Sequence, residues 1–466
     1  MGFQIQRRKE KSQLLVPSRF SEEAAAREEG VHAFFPSGSV AREVNPTRIP
    51  LYFLYRHPTV IAAALFLLIL SGPPRFRARD PEASLRGEMD WIVILHAVVW
   101  GFAGLWVVWQ LGKRFQARRP PLRLRLPQIL GLAMILVLTA SSSVSDAPAL
   151  TAFRAYQMLI SLLFAQIFVE RFGVWTSLKT MLWGNALLCM TIGICAFLLP
   201  DEVWTPSEFN PDPSRLFGDF IAPTGVVSVL AIILLLTSVR RISKVLPLSL
   251  LSCFLALLAF SLMRTAYITI FIFFALVLLK RPNIKPLRRV AYLLCALLLL
   301  LYAFGRLPDV SHYRDPESVS NLGDRIGLWR HLTTITLSRS PWLGLGYYSA
   351  SRIYGPDYNP GLGTAHSMFV EVLVGGGVLS FGLLAALCVT LSTYAVRLLY
   401  AGRDRLSFAL STLFLASLLF GFMGDPLHSG PVAMAFWGAA AALPLLYESS
   451  IKRPLQTLGG RVDATA

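Results

Sequence analysis

The chain predicts an all-α polytopic membrane fold of about twelve transmembrane helices, with one large outer loop that carries an amphipathic helix. Three observations predict it. Hydrophobic residues make up 54% of the 466 residues and charged ones only 15%, where a soluble chain carries about a quarter charged residues. Apolar runs of roughly 17 to 25 residues recur, each long enough to cross the hydrocarbon core as a helix that satisfies its own backbone. The Lys and Arg behind the net charge of +17 sit in short loops between those runs, the pattern that sets membrane orientation. Membrane lipids are therefore expected partners, and nucleic acid is not.

Helices are expected near 51–71, 91–110, 127–143, 150–169, 178–199, 216–238, 245–263, 265–279, 288–304, 366–396, 406–424 and 431–447. The run 366–396 exceeds one span, which calls for a tilt, a kink at Gly375–Gly377 or an extension beyond the bilayer. Residues 1–50 mix Arg, Lys and Glu, lack the signal-peptide pattern, and read as a cytoplasmic tail with a short helix around Glu22–Glu29. The five cysteines (Cys189, Cys195, Cys253, Cys295 and Cys388) all lie inside apolar spans without a CxxC pair. They read as small buried hydrophobes, and neither a metal site nor a cofactor is expected.

Charge sets the sidedness. Lys113, Arg114, Arg118, Arg119, Arg123 and Arg125 fill loop 111–126 without an acid. Further basic loops hold Arg240, Arg241 and Lys244, then Lys280, Arg281, Lys285, Arg288 and Arg289, then Arg397, Arg403 and Arg405. Segment 200–215 is acidic instead, with Asp201, Glu202, Glu208 and Asp212. Basic loops face the cytoplasm, so both termini are expected inside and 200–215 and 305–365 outside. Segment 72–90 dissents, with Arg75, Arg77, Arg79 and Arg86 on the outer side, balanced by four acids. The resulting organisation is a tail 1–50, spans one to nine within 51–304, an outer loop 305–365, spans ten to twelve within 366–447 and a cytoplasmic tail 448–466.

The outer loop contains the amphipathic segment Asn321–Arg339, with Ile326, Trp329, Leu332, Thr333, Ile335 and Thr336 spaced for one helical face, before Pro341 and Gly344–Gly346 break it. Such a helix lies at the membrane surface. Charges at the bilayer edge are costly and ask for a reason. Arg264, in Ser261-Leu-Met-Arg-Thr265, interrupts about 35 apolar residues; it either snorkels into headgroups or faces an anionic ligand with its planar fork. Arg325 and Trp329 are four apart on one face of the surface helix, with Arg330 beside them, and Arg215 marks the outer edge of another span. His366 stands where the outer loop meets the next span, and imidazole near neutral pH suits a general base. Glu371 lies five residues on, one and a half turns away, and is expected to face elsewhere; His428 and Asp425 are weaker candidates.

These residues resemble the O-antigen ligase and polymerase superfamily of bacterial surface-polysaccharide assembly. The resemblance rests on Asp324-Arg-Ile-Gly-Leu-Trp329, Ser340-Pro-Trp-Leu-Gly-Leu-Gly346, Ala365-His-Ser-Met-Phe369 and Gly375-Gly-Gly377. Ser261-Leu-Met-Arg-Thr265 and Arg215-Leu-Phe-Gly218 look like two more of its motifs, and Ser367 stands where the family usually has Asn. The resemblance covers about 210–400. It implies an inner-membrane enzyme that moves a glycan from a polyprenyl diphosphate to an acceptor hydroxyl, on lipid A-core or on another glycan, without a metal. Arg264 and Arg325 would hold the diphosphate, His366 would act as base, and Arg215, Arg330, Trp329 and Ser367 would line the substrate. Ligase and polymerase differ only in acceptor. A transporter or flippase accounts for the helix count and inner charges, but poorly for one outer loop carrying Arg, Trp and His; a scaffold would leave those residues dispersed.

Overall fold

The computed structural model describes residues 91–118, 122–205, 215–216, 223–238, 245–280, 325–359, 363–401, 404–424 and 427–459, all within one compact unit, Pro58–Ala466. The expected spans at 51–71 and 288–304, the tail 1–50 and segments 72–90 and 305–324 lie outside the described residues. Nearly all that is described is helical: α1 (Trp91–Gln116), α2 (Leu126–Ala140), α3 (Pro148–Leu198), α4 (Thr224–Ser238), α5 (Val245–Ser261), α6 (Arg264–Lys280), α7 (Arg325–Arg339), α8 (Ser349–Tyr358), α9 (Met368–Ala401), α10 (Arg405–Met423) and α11 (Pro431–Gly459). One antiparallel pair, β1 (Trp204–Thr205) with β2 (Arg215–Leu216), is the only sheet among the described residues.

Among the described residues, six helices are long and apolar enough to cross a membrane: those at Val93–Gln116, Leu126–Val144, Pro148–Leu198, Met368–Tyr400, Arg405–Phe422 and Pro431–Ser450. One of them, α3, is two helices joined at Gly173, whose φ of 79° and ψ of 161° no side-chain-bearing residue adopts cheaply. The expected connection between 150–169 and 178–199 is thus a tight break rather than a loop. Shorter apolar helices cover Thr224–Thr237, Leu246–Ser261 and Arg264–Leu279. Proline sets the starts of α2, α3 and α11, where its missing N–H costs nothing. Asp404 caps α10 by accepting from the Ser407 N–H at 3.3 Å.

The bundle is apolar on its outside as well as in its core. Trp91, Ile94, Leu95, Val98, Phe102, Leu105, Val108 and Trp109 of α1 are all exposed at helical spacing, an outward apolar stripe that only lipid covers without cost. The hub is α4, buried all round, with Val226, Val227 and Val229–Leu235 between 0% and 3% exposed; it packs on α3, α5, α6 and α10. At the basic end, α1 runs six residues past its expected boundary because Lys113 covers the Trp109 ring and Arg114 pairs with Glu170 at 2.5 Å. Arg125 likewise meets Glu448.

The two glycine motifs interlock. Leu345 and Gly346 N–H groups donate to the Val374 and Gly375 carbonyls, and the Val378 N–H donates to the Pro341 carbonyl. The Pro341–Gly346 segment therefore satisfies the backbone that the break in α9 at Gly377 (φ 65°, ψ −167°) leaves open. A Cβ on Gly344 would stand 2.5 Å from the Gly375 and Gly376 backbone, and one on Gly377 would overlap the Trp342 carbonyl. Gly377→Ala is accordingly expected to cost about 1–3 kcal/mol from backbone strain alone, and more from the overlap. Thermal melting of the detergent-purified protein checks this, with Gly382→Ala, which meets nothing within 4 Å, as the silent control.

Candidate active site

Helix α7 opens at Arg325 and buries Leu328, Leu332 and Thr336 against α8 and α9. Its buried face is rotated from the expected one: Ile326 is 43% exposed, while Trp329, Thr333 and Ile335 sit half-buried at the edge. A short helix that the sequence did not announce, α8, follows the Pro341–Gly346 turn.

The turn before α9 is held from both sides. The Trp329 indole N–H donates to the Ala365 carbonyl at 2.6 Å, and the Ala365 N–H donates to Glu371 Oε1 at 2.8 Å. Glu371 is 3% exposed and also accepts from Ser351 Oγ at 2.8 and 2.9 Å. It does not face away, as expected, because the chain doubles back at 365–367 and lays the loop over the first turn of α9. His366, half-buried, takes φ 50° in this clamped turn, and Ser367 is 2% exposed beneath it. Of the four non-glycine residues with left-handed φ among the described residues, His366 is itself a candidate and Leu262 stands two residues before Arg264; such strain persists where surroundings enforce it.

Around this turn, Trp329 meets Phe422 edge-on at 6.4 Å and Phe369 meets Phe422 at 5.9 Å, so the end of α10 joins the group. The structure thus brings Trp329, His366 and Ser367 into one assembly of α7, α9 and α10, with Arg325 at the first residue of α7 and Arg330 exposed on that helix.

Arg264 stands at the break between α5 and α6, away from that assembly, and the strand of Arg215 rests on α5. Leu262 and Met263 break the chain between α5 and α6, Tyr267 Oη bridges the break to the Ala259 carbonyl at 2.9 Å, and exposed Arg264 opens α6. A guanidinium at a helix N-terminus adds charge to a dipole already positive there. This arrangement does nothing for the helix and suits an anion. The 216–238 helix expected after Arg215 begins only at Thr224; Arg215 instead pairs with Thr205 in β2, which rests on α5, where Trp204 meets Phe260 at 5.7 Å. The side chain of Arg215 and all of Asp425 lie outside the described residues. Helix α6 packs on α4 and α10 rather than chiefly on α7 or α9, so α10 is the element that touches both α6 and that assembly.

Sequence reasoning underweighted what lies behind the clamp. His428, 2% exposed, places Nδ1 3.4 Å from Tyr347 Oη and its ring 4.6 Å from Tyr348. Burial, then the Glu371 charge, push the Tyr347 phenol well above its ordinary value, which keeps it a neutral donor. Tyr354 of α8 donates to Asp146 and accepts from Arg339 at 3.0 Å; burial and then Asp146 push its phenol up. The one sequence signal for Glu371 was an acid in the first turn of an apolar helix. Among the described residues, no group of three or more His, Cys, Asp or Glu side chains stands together as a metal site.

No curated protein matches the chain. Residues 248–387 match the model of a family described as O-antigen ligase, and that stretch holds the Arg264 break, the Trp329–Ala365–Glu371 clamp, His366 and both glycine motifs. That match supports membership of the chain in the O-antigen ligase family, and the apolar helices suit a multi-pass membrane protein.

Proposed function

We propose that the protein transfers a polyprenyl-diphosphate-linked glycan to an acceptor hydroxyl at the outer face of the bacterial inner membrane, as a ligase of surface polysaccharide or lipopolysaccharide. The clamped turn carries this reading: a half-buried histidine held in left-handed backbone beside a helix that opens on an arginine. The match of residues 248–387 to the O-antigen ligase family model supports the same class of glycan transfer. The placement takes the basic loops and both termini as cytoplasmic and counts twelve spans.

In this mechanism His366 accepts the proton of the acceptor hydroxyl as its oxygen attacks the anomeric carbon. The bond from that carbon to the diphosphate breaks, and its electron pair stays on the diphosphate oxygen. Arg264 and Arg325 stabilise that growing charge without reorganising, the electrostatic contribution that guanidiniums make best away from water. Arg215, Arg330, Trp329 and Ser367 line or support the donor, and no step calls on a metal.

Deleting the gene in its host and analysing the glycans left behind tests the proposal. Loss of long surface glycan with accumulation of long lipid-linked chains is expected for a ligase. Accumulated single repeat units would assign a polymerase, the second reading that the family resemblance carries. Unchanged surface glycan would overturn both.

A further inference from the structure

Helix α8 brings Ser351 against Glu371 behind the His366 turn, yet its own sequence does not hold it there. Its ten residues are too few for a helix to stand alone in water, Pro356 lies within it, and no side chain caps its start. Besides packing on α7 and α9, it is tied to the connection from α2 to α3 and to the first turns of α3, about 200 residues earlier.

The first tie is at the start of α8. Ser349 Oγ stands 2.7 Å from Thr151 Oγ1 and 2.9 Å from Ser145 Oγ, and those two are 2.9 Å apart. Three hydroxyls thus close a ring in which each can donate once and accept once. Gly346 lets the segments meet, since a Cβ there would overlap Ser145 Oγ and Ser349 Oγ. Beside the ring, the Arg154 guanidinium of α3, oriented by donating to Gln157 Oε1 at 2.9 Å, lies 4.6 Å from the Tyr348 ring centroid. Arg352 of α8 lies 4.8 Å from the same centroid. The second tie is at Tyr354, 9% exposed. Its hydroxyl donates to exposed Asp146 and accepts from Arg339 Nη1 at 3.0 Å. One phenol therefore joins α8, the end of α7 and the connection from α2 to α3, through a bond to a carboxylate of the stronger, charge-assisted kind. Ser351 lies between the two ties. It donates to Glu371, and the same carboxylate accepts from the Ala365 N–H next to His366.

We propose that Asp146 and Tyr354 are positioning residues for glycan transfer: they fix α8, and α8 fixes the His366 turn through Ser351 and Glu371. The role in transfer rests on His366 acting as the base; the tether itself does not. The membrane-crossing helices pack mainly on one another, so loosening α8 should disturb the turn more than it lowers melting.

Two readouts on the full chain in detergent micelles, taken well below melting, test this. Amide hydrogen exchange follows the turn without any activity, and the Ala365 N–H should exchange at least tenfold faster in Tyr354→Phe. Reconstituted transfer by Tyr354→Phe and by Asp146→Ala should lose about five- to tenfold in kcat at unchanged donor KM, the signature of a misplaced base rather than weaker binding. Asp146→Asn, whose amide oxygen still accepts from the phenol, should restore most of the rate. Because Tyr354 and Glu371 act through one turn, Tyr354→Phe combined with Glu371→Gln should lose less than the product of the two single losses. Asp146 is exposed, so its variants carry the test even where Tyr354→Phe folds poorly. Unchanged exchange at Ala365 would overturn the tether. Faster exchange with an unchanged kcat, or losses that multiply, would confine Asp146 and Tyr354 to folding and overturn the positioning role. Normal transfer by His366→Asn would remove the base instead, and the exchange result would stand apart from it.

Discussion

His366→Asn is expected to reduce glycan transfer at least a hundredfold, within the range of about 10²–10⁴ that a positioned general base contributes. Asparagine is the informative substitution because His366 sits at φ 50°, a conformation that asparagine tolerates better than alanine does. The variant therefore keeps the turn and removes the proton acceptor. Its melting temperature and membrane yield should match those of the natural protein, which separates chemistry from folding. His366→Ala should lose transfer equally and lose some stability as well. Host cells lacking the gene, complemented with each variant, give the readout as surface glycan on gels, and reconstituted transfer gives the rate. Near-normal transfer by His366→Asn would make the histidine a turn residue and overturn its role as base.

Glu371→Ala should damage both stability and transfer. Its carboxylate accepts from Ser351 Oγ and from the Ala365 N–H at 3% exposure. Removing it leaves two buried donors unsatisfied, each at about 1–3 kcal/mol, so melting should fall by several degrees. Transfer should fall at least tenfold in kcat with little change in donor KM, because the loosened turn misplaces the base rather than weakening donor binding. Glu371→Gln keeps one acceptor oxygen but points an amide N–H₂ at the same donors, so it should recover part of the stability and less of the rate. If Glu371→Ala melts normally and transfers normally, the clamp does not position His366. A loss of stability with full activity in the surviving protein would confine Glu371 to folding.

The clamp also accounts for the two glycine motifs. A broken α9 exposes carbonyls at Val374 and Gly375 that need donors, and the Pro341–Gly346 turn supplies them. The same insertion delivers Tyr348 and α8 to the back of the His366 turn. A side chain at Gly344 or Gly377 would separate these segments, and the base and α8 would then be held by different parts of the protein.

Much of this was legible in one dimension. Lipid-spanning helices announce themselves because a backbone without water must close its own hydrogen bonds over a length set by the bilayer. Hence α2, α5, α6 and α10 start and stop within three residues of their expected bounds, and the break in α9 falls at the glycines that suggested it. His366, Arg264 and Arg325 stood out because charge beside an apolar run is costly and local. The missed features share a different cause. The Gly173 junction, the extended strand at Arg215 and the helix α8 depend on what packs against them, not on their own periodicity. Glu371 lay out of phase with His366 on any helical projection, and only the doubling back of 365–367 turned its carboxylate toward the loop. Arg154 and Gln157 stand three residues apart but far along the chain from Arg352, and all three look like ordinary span-edge and surface residues. The sequence by itself determined where the chain meets lipid and which residues are too expensive to be idle. The tertiary structure alone decided which of them share a site, because hydrogen bonds and stacked charges act over a few ångströms in space whatever their separation along the chain.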